Sequence, residues 1–390
     1  MAWEWTCWAV AAAGAALALR SYWPLWRLQF CPRSLGAIRA VQAQRRGATP
    51  KVSVIVPACD EEGAIGRCLQ SLAAQDYPEL EIIAVNDRST DATGRIMDGA
   101  ARASGRIRVL HVAELPAGWL GKCHANAVGA AQATGSWLLF TDGDVFFEPD
   151  AIRLAMAHAG QEQLDHLTLF PGLVPGGYWE TAAVALFGVL LVDVLKITHV
   201  RNPLRPDAFA GIGAFNLVRA PAYSAIGGHG RLRMAVADDV KLGKLLKQCG
   251  FVSDVLPAGK KVTVRWQIGL RGVVRGLEKN GFAATDFRTG PAMVSIILLV
   301  VAAIVPLMGV AVGAGASRVV FALWAAANFS ALGLANRTGR FGVWVWPAFP
   351  IVSLAMAYAM GRSMLSALWR GGITWRETFY SLHEVRNGVS

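Results

Sequence analysis

The chain has 390 residues and a net charge of +11, yet only 17% of its residues are charged while 54% are hydrophobic. That balance is too apolar for a chain living wholly in water and points to membrane-spanning segments. The Lys and Arg residues cluster beside apolar runs and not in any nucleic-acid-binding motif, so no nucleic-acid partner is expected, and the six Cys form neither a C-x-x-C pair nor a zinc spacing.

Residues 1–28 read as an N-terminal membrane anchor. Trp5 to Leu19 is apolar and Ala-rich, and Trp3, Trp5 and Trp8 suit a membrane–water boundary. Arg20, Arg27, Arg33, Arg39, Arg45, Arg46 and Lys51 follow, against the single acid Glu4. Positive charge after the run, not before it, argues for a retained anchor over a cleaved signal peptide, with the following chain in the cytoplasm.

Residues 51–147 alternate strand and helix. Val52 to Val56 predicts a strand stopped by Pro57, Ile65 to Gln75 an amphipathic helix, and Glu81 to Val85 a second strand ending in Asn86-Asp87. Residues 91–104 predict a helix, 107–112 a third strand, and 122–134 an Ala-rich helix. Trp137 to Phe140 is a short buried strand that delivers Asp142 and Asp144 on the turn held open by Gly143. This rhythm predicts an α/β fold, a mostly parallel sheet with helices on both faces. The strand ends then bring Asp60, Glu61, Asp87, Asp142 and Asp144 to one crevice, where ligands of such sheets bind. Clustered carboxylates repel unless a cation or donor-rich ligand sits among them. Asp142 and Asp144 are hard oxygen ligands suited to Mg²⁺ or Mn²⁺.

Val54-Ile-Val-Pro-Ala-Cys-Asp-Glu-Glu62, Ser71-Leu-Ala-Ala-Gln-Asp-Tyr-Pro78 and Asn86-Asp-Arg-Ser-Thr-Asp-Ala-Thr93 together resemble the family 2 glycosyltransferases in order and spacing. The resemblance runs from about 53 to 282. It implies the GT-A fold, a Rossmann-like sheet domain, and a nucleotide-diphospho-sugar donor with a divalent metal, Mg or Mn. It further implies that Pro57, Asp60 and Glu61 line the nucleoside pocket, with Asp60 where Asn is more usual, and that Asp87 bonds the base, typically uracil. Asp142 and Asp144 match the family's metal motif, and Lys122 and Asn126 a loop that packs on the diphosphate.

Residues 148–285 make the acceptor-side half. The apolar segment 180–194 is too short for a free span and predicts an in-plane or core helix. Ala237-Asp-Asp239 stands where the family has Glu-Asp, which makes Asp239 the expected catalytic base and Asp238 the substitute for Glu. Arg265 and Trp266 resemble the end of the Q-x-x-R-W motif of processive relatives, but Val262 takes the Gln position, which weighs against a polymer channel. The basic amphipathic stretch 271–282, with Leu115 to Lys122 and the tail around Trp375, resembles the hopanoid- and carotenoid-associated branch.

Residues 290–362 hold two to three C-terminal spans, at 291–315, 319–335 and 343–360, and 363–390 is a basic tail. One anchor plus three spans would put that tail outside, against the positive-inside rule, so one segment is expected to be re-entrant or the first not to cross. The expectation is a multi-pass plasma-membrane glycosyltransferase, its catalytic domain facing the cytoplasm, that inverts the sugar while moving it to a lipid acceptor from the bilayer. The alternatives are a processive polysaccharide synthase and a non-catalytic membrane scaffold.

Overall fold

The structure is a computed structural model that describes residues 2–30, 34–38, 49–174, 176–375 and 378–387. Arg33, Arg39, Arg45, Arg46 and Arg376 of the basic clusters lie outside the described residues. The chain divides into two compact units, one built from residues 32–174 and 199–265, the other from 1–31, 175–198 and 266–386.

The first unit is organised on an eight-stranded sheet. Its strands are β1 (Val52–Ala58), β2 (Leu80–Asp87), β3 (Ile107–Val112), β4 (Trp137–Phe140), β5 (Val145–Phe147), β6 (His166–Leu173), β7 (Asn216–Arg219) and β8 (Ser253–Val264), in the order β3-β2-β1-β4-β7-β6-β8-β5. The first four are parallel, as the sequence pattern predicts, and β6 is parallel to β8. β7 runs antiparallel to both β4 and β6, and β5 to β8.

Both faces of the sheet are covered, which is why its central strands read as nearly continuous apolar runs. Val54, Val56, Ile82 and Leu139 pack with Ile65, Leu69 and Leu72 of α2 (Ile65–Ala73) and Met97 of α3 (Thr93–Ala103). Ile152 and Leu154 of α5 (Ala151–Gln161) extend the same cluster. On the opposite face Ile83 and Val85 meet Ala125 of α4 (Gly121–Ala131). There Ile55, Leu138 and Phe140 meet Ala222 of α7 (Ala220–Ala225) and Leu242 and Leu246 of α8 (Asp238–Gln248).

Two local expectations are corrected. Pro57 does not stop β1, which continues to Ala58 with Pro57 opposite Val85. On the other side pairing with β4 ends at Ile55, so the missing N–H of Pro57 forfeits no bond to that strand. The helix α2 ends at Ala73, short of the predicted Gln75. Gln75 is buried and its side chain bridges elements: Nε2 donates to the Glu148 carbonyl at 2.8 Å, and Oε1 accepts from the Ile152 N–H at 3.1 Å.

The second unit is helical. It comprises α1 (Ala2–Phe30), α6 (Tyr178–Val194), α9 (Gly269–Ala283), α10 (Thr289–Val312), α11 (Gly315–Ala335) and α12 (Phe349–Arg370). A 3₁₀ turn at Gly342–Ala348 precedes α12, and a hairpin of β9 (Gly372–Trp375) and β10 (Thr378–Ser381) leads into α13 (Leu382–Asn387). α1 runs well beyond the predicted apolar stretch, through Arg20 and Pro24, and sets Gly14 against the ring of Trp324. α6 is a core helix: Ala182, Ala183 and Leu186 are buried with Val273, Leu277 and Leu332. Among the described residues three segments are long and apolar enough to cross a membrane: Thr289–Val312, Gly315–Ala335 and Gly342–Arg370.

Candidate active site

The carboxyl ends of β1, β2 and β4 carry the acids expected there. Past β1, Asp60 takes the left-handed backbone region (φ 53°), which Asp and Asn enter at least cost. Its Oδ1 accepts from the Thr90 N–H at 2.8 Å, its own N–H donates to Ser89 Oγ at 3.1 Å, and the Glu61 N–H donates to Thr93 Oγ1 at 2.7 Å. The loops after β1 and β2 are therefore stitched together by side chain to backbone bonds. The Thr90 N–H holds the Asp60 carboxyl below its ordinary range, against a smaller opposing push from burial. Asp87, at the end of β2, is buried and takes two bonds from Arg88, 2.8 and 3.1 Å long. The first residue of α4, Gly121, lies so close to Asp87 that a Cβ there would strike its Oδ2.

A second group of residues closes around α4 and α8. One turn of α4 presents Lys122 and Asn126 on the same side. Lys122 Nζ lies 2.5 Å from Asp142 Oδ1 and 3.8 Å from Asp238 Oδ1, while Asn126 Nδ2 donates to Asp238 Oδ2 at 3.1 Å. Asp238 and Asp239 open α8, and Asp239 Oδ2 accepts from the Gly213 N–H at 2.7 Å. The Asp142 N–H donates back to the Gly213 carbonyl at 3.0 Å. Lys122, Asn126, Asp142, Asp238 and Asp239 thus line one cleft.

The two adjacent aspartates titrate apart. Burial would raise Asp238, but Lys122 and His229 outweigh it and hold the carboxyl well below its ordinary range. Asp239 faces the opposite balance. Burial raises it to about 6, with repulsion from Asp238 and Asp142 added and attraction from Lys122 opposing. Burial of Lys122 is overcome by Asp142, Asp238 and Asp239, which keep the ammonium charged. Neighbouring carboxyls pushed apart in this way are the usual mark of divided acid–base roles.

Asp144 also sits at about 6, raised first by burial and then by Asp142 and Glu61. Three mutually repelling carboxylates mark a place where a cation would relieve charge. Among the described residues no three His, Cys, Asp or Glu side chains are placed to hold a metal ion. Asp142 and Asp144 are hard oxygen donors of the kind that Mg²⁺ or Mn²⁺ takes, and Lys122 engages Asp142 Oδ1 in this structure.

Arg265 follows β8 and is exposed, and Trp266 belongs to the helical unit, where its ring stacks on Phe187 with centroids 4.4 Å apart.

In the sequence, Gly211, Gly213 and His229 fall in stretches, 210–217 and 223–229, that resemble the family's acceptor-side segment, with no separate role for any of the three. His229 Nε2 lies 3.5 Å from Asp238 Oδ2, and its Nδ1 is 2.8 Å from Tyr223 Oη. Tyr223 Oη also accepts the His229 N–H at 3.0 Å. One tautomer satisfies the whole chain: Tyr223 donates to Nδ1, and Nε2–H donates to Asp238. The run Gly227-Gly-His229 was the available signal, but nothing in its spacing points to a partner nine residues on. A Cβ on Gly211 would strike the Asp239 carbonyl, and one on Gly243 the Ala210 carbonyl. The 210–213 loop therefore lies backbone to backbone on the first turns of α8 and sets the position of Asp239. Gly211→Ala is expected to cost about 1–3 kcal/mol by overpacking and to reduce turnover by displacing Asp239. Thermal unfolding and turnover measured together check this, and a stable, fully active variant would contradict it.

Residues 53–223 match the model of Glycosyl transferase family 2. A 4,4'-diaponeurosporenoate glycosyltransferase of Staphylococcus aureus (strain USA300) is 24% identical over 338 residues, covering 85% of this chain and 88% of that protein. The same-named protein of strain bovine RF122 / ET3-1 is 24% identical over 347 residues, with the same coverage. Among solved structures, the mannosyltransferase PcManGT from Pyrobaculum calidifontis, in complex with GDP-Man and Mn²⁺, shares the fold. Its TM-score is 0.56 at 18% identity, covering 92% of this chain and 99% of that one. The strand-end acids and the GT-A-like sheet agree with these likenesses: residues 53–223 form a domain that matches Glycosyl transferase family 2, and the chain resembles the 4,4'-diaponeurosporenoate glycosyltransferases over most of its length.

Proposed function

We propose that the chain moves a sugar from a nucleotide-diphospho-sugar, UDP-linked by family resemblance, to a hydroxyl or carboxyl group of a hydrophobic lipid of carotenoid or hopanoid type. The reaction is a single displacement that inverts the anomeric centre. The observation that carries this reading is the convergence of Asp142, Asp238 and Asp239 around Lys122 in one cleft, with Asp239 held by the Gly213 N–H. The name of the Staphylococcus aureus relatives and the three apolar helices support the acceptor class.

Glycosyl transfer must stabilise a departing diphosphate and remove a proton from the acceptor. Lys122 supplies a half-buried positive charge for the diphosphate, held by Asp142 and Asp238. Asp239, with a pKa near neutrality, accepts the acceptor proton as general base. Asp238 stays ionised and anchors Asn126, His229 and Lys122 around that base. Asp60, Glu61 and Asp87, with Pro57 beneath them, shape the nucleoside end. Arg265 and Trp266 are assigned to acceptor binding by their resemblance to the end of the Q-x-x-R-W motif. A divalent ion held by Asp144 and Asp142 would add Lewis-acid stabilisation of the leaving group.

Release of nucleoside diphosphate from UDP- and GDP-sugars by the full chain, in detergent with Mn²⁺ and with or without a carotenoid-containing lipid extract, tests the reading. Extract-dependent release from one donor class, with a glycosylated lipid of matching mass, is expected. Binding of nucleoside diphosphate with no lipid product from any extract would overturn the acceptor assignment.

A further inference from the structure

Beyond α9 the described residues of the helical unit hold three segments of membrane-crossing length, but the contacts of these three are those of two crossings. α10 and α11 pack antiparallel. Asn328 Nδ2 donates to the Ala302 carbonyl at 3.1 Å, the carbonyl left without a helical donor by Pro306, and nearer the connection Phe321 covers Gly309. At ~1.5 Å per residue each helix reaches about 30 Å or slightly more, a full hydrocarbon thickness. The end of α11 has therefore returned to the level where α10 begins.

The chain does not cross again. Asn336 Nδ2 donates to the Gly342 carbonyl at 2.9 Å and folds the connection tightly back. The 3₁₀ turn then climbs only one turn of α11: Val343 lies against Gly333, while the rings of Trp346 and Phe349 lie 5.4 and 6.1 Å from that of Phe329. α12 thus starts at mid-depth, and from there it descends towards the foot of α10. Ser353 Oγ donates to the Leu299 carbonyl at 3.0 Å, Gly361 faces Ile296, and Ser363 Oγ accepts the Phe282 N–H at the end of α9 at 2.9 Å. Arg386, beyond the hairpin, donates to the carbonyl of Phe287 at 2.9 Å. Phe287 immediately precedes α10, so residues 287 and 386 share one membrane face, and the number of crossings between them is even.

We infer that α10 and α11 are the crossing pair of this unit and that residues 336–370 form a re-entrant segment, entering and leaving by the face from which α10 starts. The 3₁₀ turn packs on α11 and α6 through the buried Val345 and Ala348, and its backbone bonds are made internally, as in the Trp344 N–H to Phe341 carbonyl bond at 3.1 Å, so the backbone at depth is satisfied without water. The charges agree. Arg288, Arg337, Arg340, Arg370 and Arg386 then lie at one face, against Arg318 at the α10–α11 connection, where it donates to the Ala311 carbonyl at 3.3 Å. The positive-inside rule makes the Arg-rich face cytoplasmic. This conclusion rests on the helical unit alone and stands apart from the proposed reaction.

Single cysteines placed in the full chain test it, read in intact and permeabilised cells with a membrane-impermeant maleimide as a mass increment over the parent. Thr338→Cys and His383→Cys are exposed positions before and after the segment, and Ala316→Cys sits at the α10–α11 connection. Thr338→Cys and His383→Cys are expected to label from one face and Ala316→Cys from the other. Labelling of Thr338→Cys and His383→Cys from opposite faces would overturn the inference. Trp369→Cys, 89% exposed, reads the same face should His383→Cys be poorly produced.

Discussion

Asp239→Asn is expected to lower turnover by about 10³-fold while leaving nucleoside diphosphate binding within a few-fold of the parent. The substitution is nearly isosteric, and the amide can still accept the Gly213 N–H through its oxygen, so the loop that carries the residue keeps its place. What is lost is the proton acceptor. The pH profile supplies a second readout. A base raised to about 6 is protonated and inactive in acid, so kcat/KM of the parent should rise with pH through about 6 and then level off. In Asp239→Asn the residual rate should lack that limb. Steady-state rates between pH 5 and 8, with binding measured by calorimetry, check both parts. Equal losses of binding and turnover would assign Asp239 to the fold of the cleft and not to the chemistry.

Lys122→Met carries the second large effect, and it acts on two properties at once. The Lys122 ammonium compensates Asp142 and Asp238 directly and lowers Asp239 through space. Its removal leaves three carboxylates without their shared cation; the Lys122–Asp142 pair is partly exposed, so the loss is expected to be about 1–3 kcal/mol, less than for a fully buried pair. With that cation gone Asp239 rises further, so the acid limb of any residual activity should move to higher pH. Turnover is expected to fall by about 10²–10³-fold, because an electrostatic donor aimed at the leaving group is lost as well. Lys122→Arg should restore stability in part and place the acid limb between those of the parent and the Met variant. A Met variant with parental stability and an unmoved acid limb would show that Lys122 does not sit at the centre of the charge cluster.

Much of the nucleotide-side fold is legible in the sequence because each of its signals is local. The apolar runs at 52–58, 80–87 and 137–140 become central strands, and the acids that follow them fall at strand ends by topology alone. Pro57 misleads for the same reason that it is tolerated: the lost bond depends on a neighbouring strand that ends two residues earlier. The cleft is less legible. The Asn126–Asp238 bond joins residues 112 apart, and Gly211 and Gly243 matter only because two backbones touch. No period or spacing reports such contacts. The apolar count likewise reveals three segments of spanning length, whereas their depth is set by the contacts of Phe329, Ser353 and Arg386.

The most direct test of the single displacement is the anomeric configuration of the glycolipid made by the full chain from an α-linked nucleotide sugar. Its ¹H NMR coupling at the anomeric position reads that configuration without reference to any variant. A β-linked product is predicted, since the acceptor oxygen attacks opposite the diphosphate while Asp239 takes its proton. An α-linked product would require either a covalent sugar intermediate or front-side attack, and would contradict the role given to Asp239.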